Sequence, residues 1–184
     1  MIRETIKQQV QSIEPLDDIE RNHKQDCLDW IDSGAELCRI SKPDNPPKHL
    51  VSYFVLVDED EILLVDHINA QLWLPTGGHV DVGEHPKQAA IREAKEELGI
   101  NAELLYENPI FITVTKTVGL TSGHTDVSLW YVIKGSKNHN YTYDNSEFHS
   151  IKWFKLNEIP IDKSEPNLSR FFQKLALAKC SLKI

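Results

Sequence analysis

The stretch from Gly78 to Ile100 restricts the fold of this chain more than any other part of the sequence. A pair of glycines stands at its start, and Pro86 follows where the first position of a helix is expected. Apolar residues then recur at helical spacing until Gly99, which is a typical helix stop. We expect the glycine pair to form a turn. The helix carries three carboxylates at spacings of i, i+3 and i+4: Glu93, Glu96 and Glu97.

These three carboxylates lie close enough together to favour a bound cation. Residues at such spacings have Cβ atoms about 5–6 Å apart. Two carboxylates about 4 Å apart repel by about 1 kcal/mol in water and by about 4 kcal/mol at the effective dielectric of a protein surface. The helical period places Glu93 and Glu97 beside the apolar face, whereas Glu96 leans outward towards Arg92. Hard oxygen ligands of this kind favour Mg²⁺ or Mn²⁺.

The overall charge argues against binding to nucleic acid through its phosphate backbone. The 184 residues include 28 Asp and Glu against 20 Lys and Arg, which gives a net charge of −8. Nucleic-acid binding of that kind needs a basic surface. An anionic small molecule can still bind if metal ions connect it to the carboxylates. The hydrophobic content of 40% is that of an ordinary globular protein.

The cysteines and the N-terminus indicate a cytoplasmic protein. Cys27, Cys38 and Cys180 are odd in number and show no C-x-x-C spacing, which disfavours a disulfide framework and a zinc knuckle. The N-terminus lacks the apolar core of a signal peptide. No apolar run approaches the roughly 20 residues that span a bilayer, so we expect no membrane partner.

The first 48 residues are predicted to form a helical extension that ends in a linker. Two apolar patterns of helical period run from Ile2 to Ile13 and from Leu16 to Ile31, and Pro15 separates them. The segment from Ser41 to Lys48 holds three prolines in eight residues, which disfavours regular structure. We expect residues 1–48 to pack on a domain over residues 49–184, with a lid or a homodimer contact as alternative roles.

The remaining sequence predicts an α/β domain. β-branched and aromatic runs indicate strands on both sides of the acidic helix, with the second run broken around Asn108-Pro109, and a further helix closes the domain. Such an order favours a mixed sheet between helical layers. The expected elements are strands at Leu50–Val57, Glu61–Asp66, Thr125–Ile133 and Ile151–Phe154, strand-like segments within Glu103–Val118, a turn at Gly119–Gly123 and a helix at Leu168–Leu177.

The opening stretch resembles the Nudix box, GX5EX7REUXEEXGU, in which U is an apolar residue. Gly78, Glu84 and the run Arg92–Ile100 match all seven fixed letters, and the U positions hold Ala94 and Ile100. The resemblance extends over about Leu50 to Phe154. It implies an α/β/α sandwich that hydrolyses the pyrophosphate bond of a small-molecule nucleotide, either a nucleoside diphosphate linked to another moiety X or a nucleoside triphosphate.

The resemblance also implies roles for individual residues. Mg²⁺, or Mn²⁺, would activate the attacking water and polarise the phosphate. Glu84 and Arg92 would shape the junction between loop and helix, and Glu84 is a further candidate for the metal shell. The general base is either a box glutamate or a glutamate from a later loop, for which Glu147 is the candidate here. The implied metal ligands are the Gly78 carbonyl and the side chains of Glu93, Glu96 and Glu97.

Two other functions remain as alternatives. A nucleotide-sensing module would keep the fold without turnover, although a full set of box carboxylates argues against it. An isoprenoid diphosphate isomerase shares the fold but needs a cysteine near the site, and the sequence has none between Cys38 and Cys180.

The substrate stays open, because the residues Lys116 to Val118 carry neither the proline nor the tyrosine that marks two known substrate classes of the family. Trp73 is the first candidate to stack on a base since it precedes the glycine pair, although core packing is favoured for it. Three more aromatic residues could stack on a base, but their strand positions favour the core: Tyr53, Phe54 and Trp130.

Several shorter motifs are weak. The pattern Gly78-x4-Gly83 resembles a P-loop but lacks its Lys and Ser or Thr. His79 and His85 do not have the spacing of a zinc-binding H-E-x-x-H helix. His124 and Asp126 could contact a ribose or phosphate, but they fit a turn and a strand edge better.

Overall fold

The computed structural model describes residues 2–41, 45–117 and 123–181. Part of the predicted linker, residues 42–44, lies outside this range, and so do Val118 and most of the predicted turn at Gly119–Gly123. Within the described part of the chain, no helix combines the length and apolar character needed to cross a membrane.

The described residues form four α-helices and seven β-strands. The helices are α1 (Ile2–Ser12), α2 (Asp18–Asp32), α3 (Pro86–Leu98) and α4 (Leu168–Ser181). The strands are β1 (Lys48–Asp58), β2 (Glu61–His67), β3 (Leu72–Leu74), β4 (Thr76–His79), β5 (Phe111–Lys116), β6 (Thr125–Lys134) and β7 (Phe148–Lys155). Two 3₁₀ turns, Leu156–Glu158 and Ile161–Lys163, lead into α4.

The strands form one mixed sheet, as the sequence predicts. Its order is β3-β2-β1-β6-β5, and β1 and β6 pair in parallel. The other pairs are antiparallel, including β4 with β1 and β7 with β2. Because β4 pairs with the N-terminal half of β1, the glycine pair lies directly beside the central strand.

Helices cover both faces of this sheet, which confirms the expected sandwich. Side chains alternate along β6, so that Tyr131 packs with α1, α2 and α3 while Trp130 packs with α4 on the opposite face. Both side chains are fully buried. A strand that is buried on both faces explains why this segment of the sequence is almost continuously apolar.

The two N-terminal helices share the core of the sheet. Ile6 and Val10 of α1 and Cys27 and Ile31 of α2 are buried in the same cluster as residues of β1 and β6. The start of α2 also reaches round the edge of the sheet. There Glu20 accepts a hydrogen bond from the backbone of the edge strand β5 and forms a buried ion pair with α4.

One of the sequence predictions is wrong, and another is confirmed only in part. The glycine pair is part of strand β4 and not a turn, because the backbone there pairs in register with Ser52 and Tyr53. Of the strand-like segments expected within Glu103–Val118, the later one forms β5 at Phe111–Lys116, whereas the earlier one is reduced to an isolated bridge between Leu104 and Ile133. Polar and bend-forming residues around Asn108-Pro109 interrupt the pairing.

Candidate active site

Local sequence fixes the position of helix α3. His85 caps its N-terminus by accepting a hydrogen bond from the Lys87 backbone, and Pro86 occupies the first turn. Gly99 ends the helix in the left-handed conformation at φ 69°. Three side chains of its inner face have no exposed surface and anchor it to the sheet: Ala90, Ala94 and Leu98.

Glu93 and Glu97 extend from this helix onto β4, the glycine strand, which contains Gly77 and Gly78. The Gly77 N–H donates to Glu97 Oε2 at 3.1 Å. A Cβ atom on Gly78 would lie 2.8 Å from Glu93 Oε2 and closer still to Oε1, so the Glu93 carboxylate lies directly over this glycine. The strand therefore needs glycine at residue 78 because the carboxylate occupies the space of a side chain.

The environment of both carboxylates disfavours their charged forms. Burial raises the pKa of Glu97 well above its usual value, and the charges of Glu93 and Glu147 raise it further. Burial also raises the pKa of Glu93, although the neighbouring Arg92 partly opposes this effect. A bound cation would relieve this cost, and the carboxylate donor set suits a hard divalent ion.

Arg92 connects four groups around the carboxylates. Its Nε and Nη2 donate to the two carboxylate oxygens of Glu84, each at 3.0 Å. Its Nη1 donates to Glu93 Oε1 at 2.7 Å and to Glu96 Oε2 at 3.1 Å, and Nη2 also reaches the His79 carbonyl at 3.1 Å. The sequence predicted the contact with Glu96, whereas the bidentate pair with Glu84 depends on how the preceding loop folds back.

The pair with Arg92 sets the charge of Glu84. Burial alone would raise the pKa of Glu84, but the hydrogen bonds from Arg92 and from the Asp81 backbone bring it below its usual value. Glu84 is therefore a carboxylate that already has its counter-ion. It holds the loop against α3.

One cavity of about 790 Å³ lies over the glycine strand. Gly78, Arg92, Glu93 and Glu97 line it, and Glu147 lines it from the loop just before β7. Glu84 and Glu96 are not among its lining residues; the Glu96 side chain is 58% exposed beside Arg92. Four of the six proposed catalytic residues thus border one space, as does Gly78. The other two contact that group through Arg92.

Among the aromatic candidates, Tyr53 lines the cavity. Trp73 instead packs edge-on against Phe154, with ring centroids 5.0 Å apart, as the core interpretation favoured. Phe54 and Trp130 have no exposed surface. Trp73 is therefore a core residue, as the sequence favoured. Side chains alternate along β3, and it is Leu72 and Leu74 that line the cavity.

Outside the box stretch, three charged residues to which the sequence assigned no role also line the cavity: Arg39, Lys116 and Glu165. The two cations are suited to contact phosphate oxygens, and burial raises the pKa of Glu165 to about 7. None of them belongs to a recognisable motif, since each comes from a different part of the chain. No described cysteine lines the cavity.

Comparison with known proteins agrees with this geometry. The sequence profile of the NUDIX domain matches residues 47–175, which is more than half of the chain. The chain belongs to the NUDIX family. Its match begins at the residue before β1 and ends within α4, so the profile covers the whole sheet and the box helix but not the two N-terminal helices.

Two relatives and one solved structure show the extent of the similarity to other NUDIX proteins. A putative 8-oxo-dGTP diphosphatase of Bacillus subtilis is 44% identical over 62 residues, which are 31% of this chain and 42% of that protein. The putative 8-oxo-dGTP diphosphatase 3 of Mycobacterium tuberculosis is 27% identical over 155 residues, 83% of this chain and 66% of the relative. The matched segments therefore span less than two thirds of either relative.

The solved structure is that of a NUDIX hydrolase from Clostridium perfringens. It is 26% identical, with a TM-score of 0.55, and the match covers 71% of this chain and 97% of that one. The matched share of the Clostridium chain shows that almost its whole fold recurs here.

Proposed function

We propose that this NUDIX protein is a Mg²⁺-dependent hydrolase, with Mn²⁺ as an alternative ion, that cleaves the pyrophosphate bond of a nucleotide. The substrate class is a nucleoside triphosphate or a nucleoside diphosphate linked to another moiety. The observation that carries the proposal is the placement of Glu93 and Glu97. These two carboxylates, half-buried and buried respectively, contact the glycine strand and face one cavity with Arg92 and Glu147.

The metal ligands would be Glu93, Glu97 and Glu96 together with the Gly78 carbonyl. Their oxygen donors fit a hard divalent cation, and a cation would favour the ionised forms of Glu93 and Glu97, whose pKa values burial raises. When bound, the metal supplies electrostatic stabilisation for the charge that develops on the phosphate oxygens. Glu96 is the outermost of the set and is shared with Arg92.

The other residues position this set. Arg92 holds Glu93 and Glu96 on one side and the Glu84 loop on the other, so that the distance between loop and helix is fixed. Arg39 and Lys116 also line the cavity and would bind the phosphates. Hydrolysis of this type depends chiefly on such positioning and charge stabilisation.

Glu147 is our candidate for the general base. It is exposed at the cavity, and its charge already affects the pKa of both Glu93 and Glu97. We expect Glu147→Gln to lower kcat by about 10²-fold or more and to remove the acidic limb of the pH–rate profile. A twofold loss with an unchanged profile would assign the base to a box glutamate.

For the substrate, the names of two relatives place 8-oxo-dGTP first in a panel of candidates. The panel also contains unmodified nucleoside triphosphates, dinucleoside polyphosphates, nucleotide sugars and ADP-ribose, each with Mg²⁺ and with Mn²⁺. Products are separated by chromatography, and ¹⁸O-water identifies the phosphorus that is attacked.

The decisive variant is Glu97→Gln, which keeps the shape of the side chain but removes one carboxylate charge. We expect it to fold normally and to lose Mg²⁺-dependent turnover by more than about 10²-fold. Glu103→Gln is the matched control because Glu103 forms an exposed ion pair with Lys134 away from the cavity. Wild-type activity in Glu97→Gln would disprove the assignment. Tight nucleotide binding without turnover of any substrate by the wild type would instead favour a sensing module.

A further inference from the structure

Three histidines and an aspartate converge beside the glycine strand. His49 belongs to β1, His79 to β4 and Asp126 to β6, and His124 directly precedes β6. The register brings them together, since His49 is opposite Asp126 in the parallel pair and Val51 is opposite His79 in the antiparallel pair. One donor atom from each of the four side chains lies within 4.8 Å of all the others.

The spacing of these donor atoms matches a small coordination sphere. His49 Nε2 lies 3.1 Å from His79 Nε2 and 3.4 Å from Asp126 Oδ1, and His124 Nε2 lies 3.2 Å from the same oxygen. A tetrahedral Zn²⁺ with bonds of 2.0–2.1 Å has neighbouring ligand atoms about 3.3–3.4 Å apart. These three separations therefore agree with a tetrahedral site, and the donor atoms all lie within 4.8 Å of one another.

The outer contacts direct the donor atoms inward. The Pro46 carbonyl accepts from His49 Nδ1 at 2.9 Å, which leaves Nε2 as the nitrogen that faces the centre. Thr117 Oγ1 lies 3.3 Å from His124 Nδ1 on the outer side of that ring. Metal-binding histidines commonly have their second nitrogen held in this way.

Asp126 supplies an independent observation. Its Oδ1 is buried and accepts no hydrogen bond of normal geometry from the described residues. A buried oxygen without a donor is costly, by about 1–3 kcal/mol. A cation at the centre of the four side chains would compensate this oxygen.

We propose that His49, His79, His124 and Asp126 form a second metal site that binds Zn²⁺ and is distinct from the carboxylate site of the box. Imidazole nitrogen is a softer ligand than carboxylate oxygen, so three histidines select Zn²⁺ over Mg²⁺. The two sites are adjacent, because His79 follows Gly78 and its carbonyl accepts from Arg92. His79, His124 and Asp126 also line the 790 Å³ cavity, where a bound ion would add positive charge for an anionic ligand.

The metal-free alternative is a hydrogen-bonded network in which one imidazole is protonated. Burial lowers the pKa of His79 to about 4, so that His79 is neutral. Burial also acts to lower the pKa of His49, but Asp126 and the Pro46 carbonyl outweigh it and the pKa lies above its usual value. The network and the metal site differ in stoichiometric metal binding, which is directly measurable.

The test is Zn²⁺ binding by the full chain after removal of metals with a chelator. Zn²⁺ is titrated against a chromophoric competitor in excess Mg²⁺, and Co²⁺ is used as a spectroscopic probe of coordination. We expect one tightly bound Zn²⁺ per chain and the intense visible absorption of tetrahedral Co²⁺. Asp126→Asn and His124→Gln should each weaken Zn²⁺ binding by more than about 100-fold.

Two controls separate this site from the box. The Glu93→Gln/Glu97→Gln double variant should lose turnover and keep the Zn²⁺ site, and His139→Gln, at an exposed histidine, should keep both. Thermal unfolding and circular dichroism establish that each variant is folded. His49 is left unchanged because its side chain is fully buried, and Asp126→Asn is used instead because it nearly preserves the shape of the side chain. The proposal would be overturned if the wild type bound no stoichiometric Zn²⁺. It would also be overturned if the Glu93→Gln/Glu97→Gln variant lost Zn²⁺ binding while Asp126→Asn and His124→Gln kept it.

Discussion

Substituting alanine for Gly78 should lower the catalytic rate while leaving the stability of the fold almost unchanged. The new Cβ would lie 2.8 Å from Glu93 Oε2 and closer to Oε1 and Cδ, whereas ordinary van der Waals contact begins at 3.4 Å. Gly78 does not have a positive φ, so its backbone accepts alanine. The carboxylate is the end of a flexible side chain and can move, but only by leaving the position in which Arg92 holds it at 2.7 Å.

The magnitude follows from this displacement. The Glu93 carboxylate must shift by on the order of 1 Å, and a misplacement of that size can lower a rate by about 10²-fold. We therefore expect Gly78→Ala to lower kcat/KM by about 10²-fold and to require more Mg²⁺ for half-maximal activity. The midpoint of thermal unfolding should change by no more than a few degrees, since the clash is with a movable group.

Gly77→Ala is the contrasting variant. Its φ is 150°, and an added Cβ would lie 2.7 Å from Tyr53 Cα and closer to the Ser52 carbonyl oxygen, both of them backbone atoms of β1. We expect a loss of about 2–5 kcal/mol in the free energy of unfolding. Activity and urea unfolding are measured for both variants at several Mg²⁺ concentrations. Full activity in Gly78→Ala, or equal destabilisation of the two variants, would refute the placement of Glu93 over Gly78.

Three further predictions concern charge. Mg²⁺ should raise the thermal midpoint of the wild type but not of Glu97→Gln, because a ligand of the folded state stabilises it in proportion to RT ln(1 + [L]/Kd); an equal rise in both would place the ion elsewhere. Burial raises the pKa of Glu165 to about 7, so the folded state holds a proton that the unfolded state releases near 4.5. The free energy of unfolding should therefore fall, by on the order of 2 kcal/mol, as the pH rises from about 4.5 to 7, and Glu165→Gln should lack this fall. If urea unfolding gave the same pH dependence for the wild type and for Glu165→Gln, the prediction would be wrong. Asp17→Ala removes the cap of α2 and the ion pair with Arg170, and should cost about 1–2 kcal/mol in the free energy of unfolding, with unchanged kcat.

The box could be predicted from the sequence because its geometry is local. Residues 93, 96 and 97 lie on one helix, whose start and end are set by His85, Pro86 and Gly99. Helical spacing alone therefore placed Glu93 and Glu97 inward and Glu96 outward. The prediction of a turn at the glycine pair was wrong. A glycine that makes room for a neighbouring carboxylate cannot be distinguished in the sequence from a glycine that permits a turn.

The rest of the site depends on strand register, which a single sequence does not specify. His49 and Asp126 are 77 positions apart and become opposite one another only through the parallel pairing of β1 and β6. A shift of one residue would direct either side chain to the other face of the sheet. Arg39 and Glu165 similarly reach the cavity from segments outside the sheet, and the sequence around them carries no periodic signal.

The charge balance of the cavity explains why the ionised forms of its carboxylates depend on a bound cation. Arg92 contacts Glu84, Glu93 and Glu96, but one guanidinium compensates one negative charge. Glu97, which is 8% exposed, receives a hydrogen bond from a backbone N–H, which neutralises less than a full charge would. Without a cation the chain can lower the cost only by protonating a carboxylate, as the raised pKa of Glu97 indicates. Metal binding must then displace that proton, so the affinity for Mg²⁺ should rise with pH until Glu97 is fully ionised.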